Sequence, residues 1–151
     1  EVLAELVPLA SHLVFSDAGL LLHAGAVHAG QPAAGAVDEA LLVVASRTGA
    51  CHVGASCGAE GYAWVEEGRV RRVPAPRVDA IDTLAAGDIL HGALALRICE
   101  GAAVAEAARF AVAAASLKCT RFGGRLGCPS RAEVDAWLEG RVEGGTGPRR
   151  P

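Results

Sequence analysis

Two aspartates stand six positions apart in the segment DTLAAGD, residues 82–88, separated mostly by small residues. An apolar run from Ile89 to Leu96 follows, and it predicts a helix that begins close to Gly87. Backbone N–H groups at such a helix start bind anions, and small side chains allow a phosphate to approach them closely. Asp88 would lie in the first turn, where a carboxylate could accept the proton of an attacking hydroxyl.

A structural interpretation of the same segment is equally open from these seven residues. Asp82 or Thr83 would then cap the helix, and Asp88 would be a favourable charge near the positive end of its dipole. A Gly/Ala turn before a helix is not specific by itself, so the flanking sequence has to decide.

Composition and charge restrict the class of protein. The 151 residues suit one domain, and 52% hydrophobic with 21% charged residues is typical of a soluble globular chain. With 14 basic and 17 acidic residues, the net charge of −3 argues against nucleic acid or an anionic membrane as partner. Five cysteines without a C-x-x-C pair disfavour disulfide and zinc scaffolds, and reduced thiols favour the cytoplasm.

Periodicity and turn residues predict an alternation of strands and helices, which favours α/β layering. The predicted strands are 12–15, 51–56 and a hairpin across Glu66-Glu67-Gly68. The predicted helices are 2–10, 18–24, 37–48, 86–99, 103–118 and one that begins with a capping box at Ser130–Glu133 and stops at Gly140. Residues 140–151 are predicted to be a disordered tail.

The segments around this motif carry a family resemblance. GASCGAEGYAWVEEGRVRRVPAPRV and the following VDAIDTLAAGD resemble the C-terminal half of the ribokinase and phosphofructokinase-B family of sugar kinases. The family hallmark, Asp-Thr-x-Gly-Ala-Gly-Asp at a helix start, corresponds to residues 82–88, and LKCTRFGG is most similar to ketohexokinase-like members. The resemblance implies a ribokinase-like, three-layer α/β/α (Rossmann-like) fold, with residues 1–139 as its C-terminal portion and the N-terminal half absent.

The resemblance also implies roles for individual residues. Asp88 would be the catalytic base, and the amides of Ala85, Ala86 and Gly87 would form the anion hole for the transferred phosphoryl group. The residues expected to contact the nucleotide are Ser56, Gly58 and Gly61 for ribose and phosphates, and Val112, Ala115 and Cys119 for adenine. Ordinary core packing is an equally good explanation of the last three. Asp82, with the Leu84 carbonyl, would help to hold a monovalent cation in members that need potassium.

Three departures from the family pattern bear on this assignment. Ala85 replaces the first glycine of the motif, so a negative φ is expected there. Ser16-Asp17-Ala18-Gly19 stands where ribokinases carry Asn-x-x-Glu, a motif associated with magnesium and phosphate. His91 and Arg97, on the helix after the motif, are expected to be partly exposed and without a role in the chemistry.

The resulting hypothesis is an ATP-dependent carbohydrate kinase in which this chain supplies the nucleotide site, anion hole and base. ATP, Mg²⁺ and, for potassium-dependent members, K⁺ would be its cofactors, and a sugar its substrate. The isolated chain would be inactive, and a homodimer is one way in which the open edge of half a sheet could be covered. The alternative is a noncatalytic nucleotide-binding or assembly module, a truncated remnant of a kinase.

Overall fold

A computed structural model describes residues 5–25 and 35–144, the last four of these by their backbone alone. The strands are β1 (His12–Ser16), β2 (His52–Ser56), β3 (Tyr62–Glu66) and β4 (Arg69–Val73). The helices are α1 (Asp17–Ala24), α2 (Ala36–Arg47), α3 (Ala86–Cys99), α4 (Val104–Cys119) and α5 (Arg131–Gly144). The chain divides into two compact units, Glu1–Gly58 with Tyr62–Arg72 and Ala59–Gly61 with Val73–Pro151.

The sheet is mixed and its strand order follows the sequence, β1-β2-β3-β4. β1 and β2 are parallel, with His12 opposite His52, because α1 and α2 carry the chain back between them. β2 and β3 are antiparallel. The predicted hairpin between β3 and β4 is confirmed, and its two turn residues, Glu67 and Gly68, have φ of 51° and 72°. Positive φ at both positions matches the right-handed twist of the strands.

The core of the first unit lies between the sheet and its two helices. Alternate strand residues point to this side, because side chains along a strand alternate between faces. Together with the helix residues that meet them, the main buried side chains are Leu13, Val53, Ala55, Ala63, Leu20, Leu41 and Val44. A shift of one residue would turn these apolar side chains to the other face, so their burial specifies the register of the strands.

The other face of the same strands carries a buried polar pair. His52 Nε2 and the Tyr62 hydroxyl are 2.7 Å apart, and the Tyr62 ring stacks on Trp64. Gly54 is required beside them, since a Cβ there would come within 2.1 Å of the Tyr62 hydroxyl oxygen. Burial, assisted by the nearby His12, lowers the pKa of His52 from 6.5 to about 4, and burial raises the pKa of Tyr62.

The second unit is a helical layer held by small residues. Phe110, Ala113 and Ala114 of α4 bury themselves with Val134 of α5. Ile89 and Ala93 of α3 pack against the same cluster, because alanine side chains allow the helices to come close. The predicted capping box is confirmed: Ser130 N donates to Glu133 Oε2 at 2.7 Å, and Glu133 N donates to Ser130 Oγ at 3.4 Å.

One predicted helix changes type before its end, and one predicted helix boundary is wrong. Before β1, only Glu5 and Leu6 are α-helical and a 3-10 turn follows at Val7–Leu9, while residues 1–4 lie outside the described residues. At the other end, α5 continues through Gly140 to Gly144, so residues 140–144 of the predicted tail are helical. Gly140 does not adopt a positive φ, and a glycine with helical φ weakens a helix without ending it. Residues 145–151 lie outside the described residues.

No helix within residues 5–25 and 35–144 is both long enough and apolar enough to cross a membrane.

The buried His52 makes stability depend on pH. Its folded-state pKa lies below its unfolded value, so the unfolded chain binds the proton first and stability falls as pH decreases from 6.5 towards 4. We predict that the free energy of unfolding decreases by about 2 kcal/mol between pH 7 and pH 5, measured by urea denaturation. His52→Gln should remove most of this decrease. His23→Gln, at a half-buried histidine of α1, should retain it, and an unchanged slope in His52→Gln would contradict the assignment.

Candidate active site

The turn before α3 has a left-handed residue at its centre. Ala85 is the N-cap of α3, with φ 63° and ψ 13°, so the expected negative φ is wrong. The Ala86 amide donates to the Thr83 carbonyl at 3.1 Å, which closes a tight turn with the left-handed Ala85 at its third position. An L-residue pays about 1–2 kcal/mol to adopt it, and the family's glycine would adopt it without strain.

Asp82 ties this turn to the loop after α4. One carboxylate oxygen accepts from the Leu84 amide at 2.8 Å, and the other accepts from the Gly123 amide at 2.8 Å. These two hydrogen bonds are the main reason that the pKa of Asp82 is lowered, because they stabilise the charged form. No side chain caps α3, so capping by Asp82 or Thr83 does not explain the motif.

Lys118 is the second charged group at this position, and sequence reasoning missed it. It is the only lysine of the chain and is completely buried. Its Nζ donates to the Asp82 carbonyl at 2.7 Å and lies 3.3 Å from Asp82 Oδ2. A signal was present, because helical spacing places Lys118 on the same buried face of α4 as Ala111 and Ala114. Buried lysines need a charged or polar partner, and that requirement leads to Asp82.

The end of α4 completes the junction through its backbone. The Cys119 carbonyl accepts from the amides of Ile81, at 2.7 Å, and Asp82, at 3.2 Å. The chain that enters the motif is therefore held on the last turn of α4, and the motif turn begins from a fixed point.

Asp88 lies in the first turn of α3, as predicted, and its side chain is exposed. Of the predicted anion-hole amides, that of Ala86 is used within the turn. The amides of Ala85, Gly87 and Asp88 have no acceptor among residues 5–25 and 35–144. The start of α3 thus presents an ionisable carboxylate beside backbone donors at the positive end of the helix dipole.

The two other polar residues of α3 have structural contacts. His91 is half-buried, and its Nδ1 donates to the Gly87 carbonyl at 2.7 Å. Arg97 pairs with Glu100 at 2.8 Å and lies over the Phe110 ring, 5.5 Å from its centroid. These contacts link His91 to the first turn of α3 and Arg97 to Glu100 and α4, and the absence of a role in the chemistry stays a prediction.

The residues predicted to contact the nucleotide are distributed over both units. In the second unit Val112 is buried, while Ala115 and Cys119 are half-buried on the same face of α4. Burial raises the pKa of the Cys119 thiol, which keeps this side chain neutral. In the first unit Ser56 ends β2 and donates to the Phe15 carbonyl at 3.4 Å. Their contacts with a nucleotide stay predictions.

Gly58 and Gly61 differ in how closely other atoms approach them. Gly58 has φ 52° and nothing within 4 Å of the position of a Cβ. Gly61 has φ 97°, and a Cβ there would come within 2.0 Å of the Val73 carbonyl oxygen and 2.6 Å of the Ala75 nitrogen. The chain's own backbone therefore requires glycine at position 61, whether or not a nucleotide approaches it.

Metal ions such as zinc are held in proteins by clusters of His, Cys, Asp or Glu side chains. Residues 5–25 and 35–144 contain no group of three or more His, Cys, Asp or Glu side chains that could hold a metal ion. At the position of the ribokinase Asn-x-x-Glu, Ser16 Oγ accepts from the Gly19 amide at 3.1 Å and caps α1. Asp17 Oδ1 accepts from the Ala18 amide at 2.7 Å. This segment therefore serves the start of a helix.

A family profile matches most of the chain. The profile described as pfkB family carbohydrate kinase matches residues 1–131. The chain belongs to the pfkB family. Its ribokinase-like α/β fold, with a mixed sheet and helices, is shared with solved ribokinase structures and confirms the predicted fold class.

Individual pfkB relatives are similar over part of their length. The ribokinase of Lactococcus lactis subsp. lactis (strain IL1403) is 33% identical over 82 residues, which are 54% of this chain and 27% of that protein. The structure of Arabidopsis thaliana ribokinase complexed with ribose and ATP has a TM-score of 0.76 and 26% identity, covering 87% of this chain and 42% of that chain. The structure of phosphofructokinase-2 from Escherichia coli in complex with potassium has a TM-score of 0.75 and 25% identity. The match covers 89% of this chain and 42% of that chain. The chain spans less than half of the length of these relatives.

Because Ala85 is left-handed and Ala86 is helical, replacing each with glycine should change the free energy of unfolding in opposite directions. Ala85→Gly should stabilise the protein by about 0.5–1 kcal/mol, because relief of strain exceeds the added entropy of the unfolded chain. Ala86→Gly, one residue into α3, should destabilise it by about 0.5–1 kcal/mol. Urea denaturation of both variants measures the difference, and equal signs would contradict the turn geometry.

The two glycines give a second matched pair. Gly61→Ala should lower the free energy of unfolding by about 3 kcal/mol or more, since it adds a backbone clash to an unfavourable φ. Gly58→Ala meets no atoms and should cost only the left-handed strain, about 1–2 kcal/mol. Chemical denaturation compares them, and a Gly61→Ala variant as stable as Gly58→Ala would refute the close approach of residues 73–75.

Proposed function

We propose that this pfkB-family chain carries the catalytic base and the anion-binding turn of an ATP-dependent carbohydrate kinase, which phosphorylates a sugar hydroxyl. The observation that carries the proposal is the start of α3. There the exposed Asp88 carboxylate stands beside the amides of Gly87 and Asp88, which have no acceptor among the described residues. Family membership supports sugar phosphorylation as the reaction class.

The chemistry follows from this arrangement of a carboxylate and backbone donors. In phosphoryl transfer, charge spreads over the oxygens of the transferred group while the attacking and leaving oxygens stand in line. The amides of Ala85, Gly87 and Asp88 would donate to those oxygens, assisted by the dipole of α3. Asp88 would accept the proton of the sugar hydroxyl as the oxygen–phosphorus bond forms. The Ala86 amide would support the turn through Thr83 instead of contacting the phosphoryl group.

The nucleotide and its metal complete the proposal. ATP is bound in the Arabidopsis ribokinase structure, and we assign Val112, Ala115 and Cys119 to the adenine of this chain, and Ser56, Gly58 and Gly61 to its ribose and phosphates. Mg²⁺ commonly binds through substrate phosphates with few carboxylates, and the described residues provide no preformed cluster. Mg²⁺ would therefore arrive bound to the phosphate oxygens of ATP, where it would neutralise their charge.

The finer assignments concern substrate and context. DTLAAGD together with LKCTRFGG supports a ketohexokinase-like member of the family, and the panel of ketoses, aldoses and nucleosides below identifies its substrate. We further propose that residues 1–139 are the C-terminal portion of such a kinase, that the protein acts in the cytoplasm, and that a homodimer is its assembly. The short matched share of the relatives supports a portion of a longer kinase, and the resemblance of DTLAAGD and its flanks to the family's C-terminal half supports the C-terminal portion.

Replacement of Asp88 tests the base. In the full-length protein, Asp88→Asn keeps the shape of the side chain but cannot accept the proton, so kcat should fall by about 10²–10⁴. ATP affinity, measured by calorimetry, should persist. Glu106→Gln is the matched control, because Glu106 is the exposed acidic residue in the first turn of α4, and it should leave kcat unchanged.

The outcomes separate the two functional classes. A normal kcat in Asp88→Asn with a lowered melting temperature would make Asp88 a helix-stabilising charge only. A full-length protein that binds ATP but phosphorylates none of a panel of ketoses, aldoses and nucleosides would be the noncatalytic nucleotide-binding module.

A further inference from the structure

The acceptor atoms of Asp82 bear on whether this chain holds a monovalent cation. The family resemblance assigns a cation to Asp82 and the Leu84 carbonyl, and the phosphofructokinase-2 structure contains potassium. Here Oδ1 accepts from the Leu84 amide, and Oδ2 accepts from the Gly123 amide with Lys118 Nζ at 3.3 Å. The Asp82 carbonyl oxygen accepts from Lys118 Nζ at 2.7 Å. These oxygens are engaged by donors, and the positive charge of Lys118 beside them would repel a potassium ion bound to Asp82.

We propose that the buried ammonium group of Lys118 takes the place of a monovalent cation at Asp82, and that Lys118 is thereby the positioning residue for the turn 82–88. An ammonium group carries the same charge as potassium and is of similar size. It differs in being covalently attached, so it is present at every salt concentration. The turn of this chain would then need no dissolved cation to keep its shape.

The position of Lys118 supports a role for its charge beyond packing. The side chain is completely buried, and the other buried residues of α4 are mostly alanines, with no second charged side chain among them. Its hydrogen bond and its ion pair both go to Asp82. A buried charge is costly unless it is paired, so an apolar residue would fill this space more easily if filling were the only requirement.

The effect on the turn passes through Asp82. Its carboxylate orients the Leu84 amide on one side and the Gly123 amide on the other, and Ala85 and the start of α3 follow directly. Removal of the ammonium would leave a carboxylate and a carbonyl facing an uncompensated space. Such a pair of oxygens is a binding site for a small cation, and this consequence can be measured.

The first measurement requires no variant. Thermal melting of the wild-type protein is compared in potassium, sodium, ammonium and choline chloride at equal ionic strength. The expected result is the same melting temperature in all four salts. A saturable rise that is specific to potassium would overturn the proposal. This measurement does not depend on catalysis, so it stands apart from the test of the proposed kinase activity.

Two variants then separate charge from packing. Lys118→Ala leaves space, so it should melt lower in choline and regain stability in potassium or ammonium. Lys118→Met fills the space without a charge, so it should melt lower and show no recovery in any salt. Equal melting of Lys118→Met and wild type would overturn the proposal, since the stem alone would then suffice. If Lys118→Ala folds but is not restored by either cation, the proposal is also wrong.

The single lysine provides a readout that remains decisive even if the variants do not fold. Protein labelled with ¹⁵N-lysine has one side-chain ammonium signal, because Lys118 is the only lysine. The signal should be protected from solvent exchange and should not shift on addition of potassium. A shift that saturates with potassium and is absent with choline would show a cation at Asp82 and overturn the proposal. The kinetic counterpart, which rests on the proposed function, is recovery of kcat in Lys118→Ala by ammonium.

Discussion

The carboxylate and the carbonyl of Asp82 accept hydrogen bonds from three segments of the chain. One of them is the adjacent turn, and the other two are about 40 residues further along the sequence. Leu84 belongs to the motif turn, Lys118 to the last turn of α4, and Gly123 to the loop beyond it. The backbone of the same residue donates to Cys119. With this many partners, Asp82 has one arrangement that satisfies them all, and the left-handed Ala85 and the direction of α3 are consequences of it.

Close helix packing makes that arrangement attainable. Lys118 can reach Asp82 from inside the helical layer because the alanine-rich faces of α4 bring the neighbouring helices near. A larger residue at Ala113 or Ala114 would push α3 or α5 outward and lengthen the distance to the motif turn. The small side chains of α4 therefore serve the geometry of the turn as well as the apolar core.

The sequence allowed the elements of the fold to be predicted better than the details of the site. Alternation in β3 and β4 and the Glu67-Gly68 turn were sufficient for the hairpin, since these signals are local. The prediction of a negative φ at Ala85 was wrong, because it rested on the preference of alanine alone. In the folded chain the hydrogen bonds of the turn outweigh that preference. Lys118 was missed because its partner lies 36 positions away, and a single sequence does not contain that pairing.

For the site residues, too, the sequence predicted positions along the chain but not the contacts formed in the folded protein. The prediction that Asp88 lies in the first turn of α3 was correct, since the apolar run defines where the helix begins. Which amides remain without acceptors depends on whether the Thr83 carbonyl turns towards Ala86, and this is a property of the folded turn. Gly61 was attributed to a ligand, whereas the neighbouring backbone already demands a glycine there.

The Asp82 junction also has a consequence for the order of folding. Its contacts close loops of 36 and 41 residues, and the segments they join are ordered by α3 and α4. The entropy of closing such loops must be met before the contacts form, so the pair of helices has to dock first. The motif turn therefore acquires its shape among the last steps of folding of this unit. A partly folded chain exposes the same DTLAAGD residues without the left-handed turn and the arrangement of backbone amides of the folded protein.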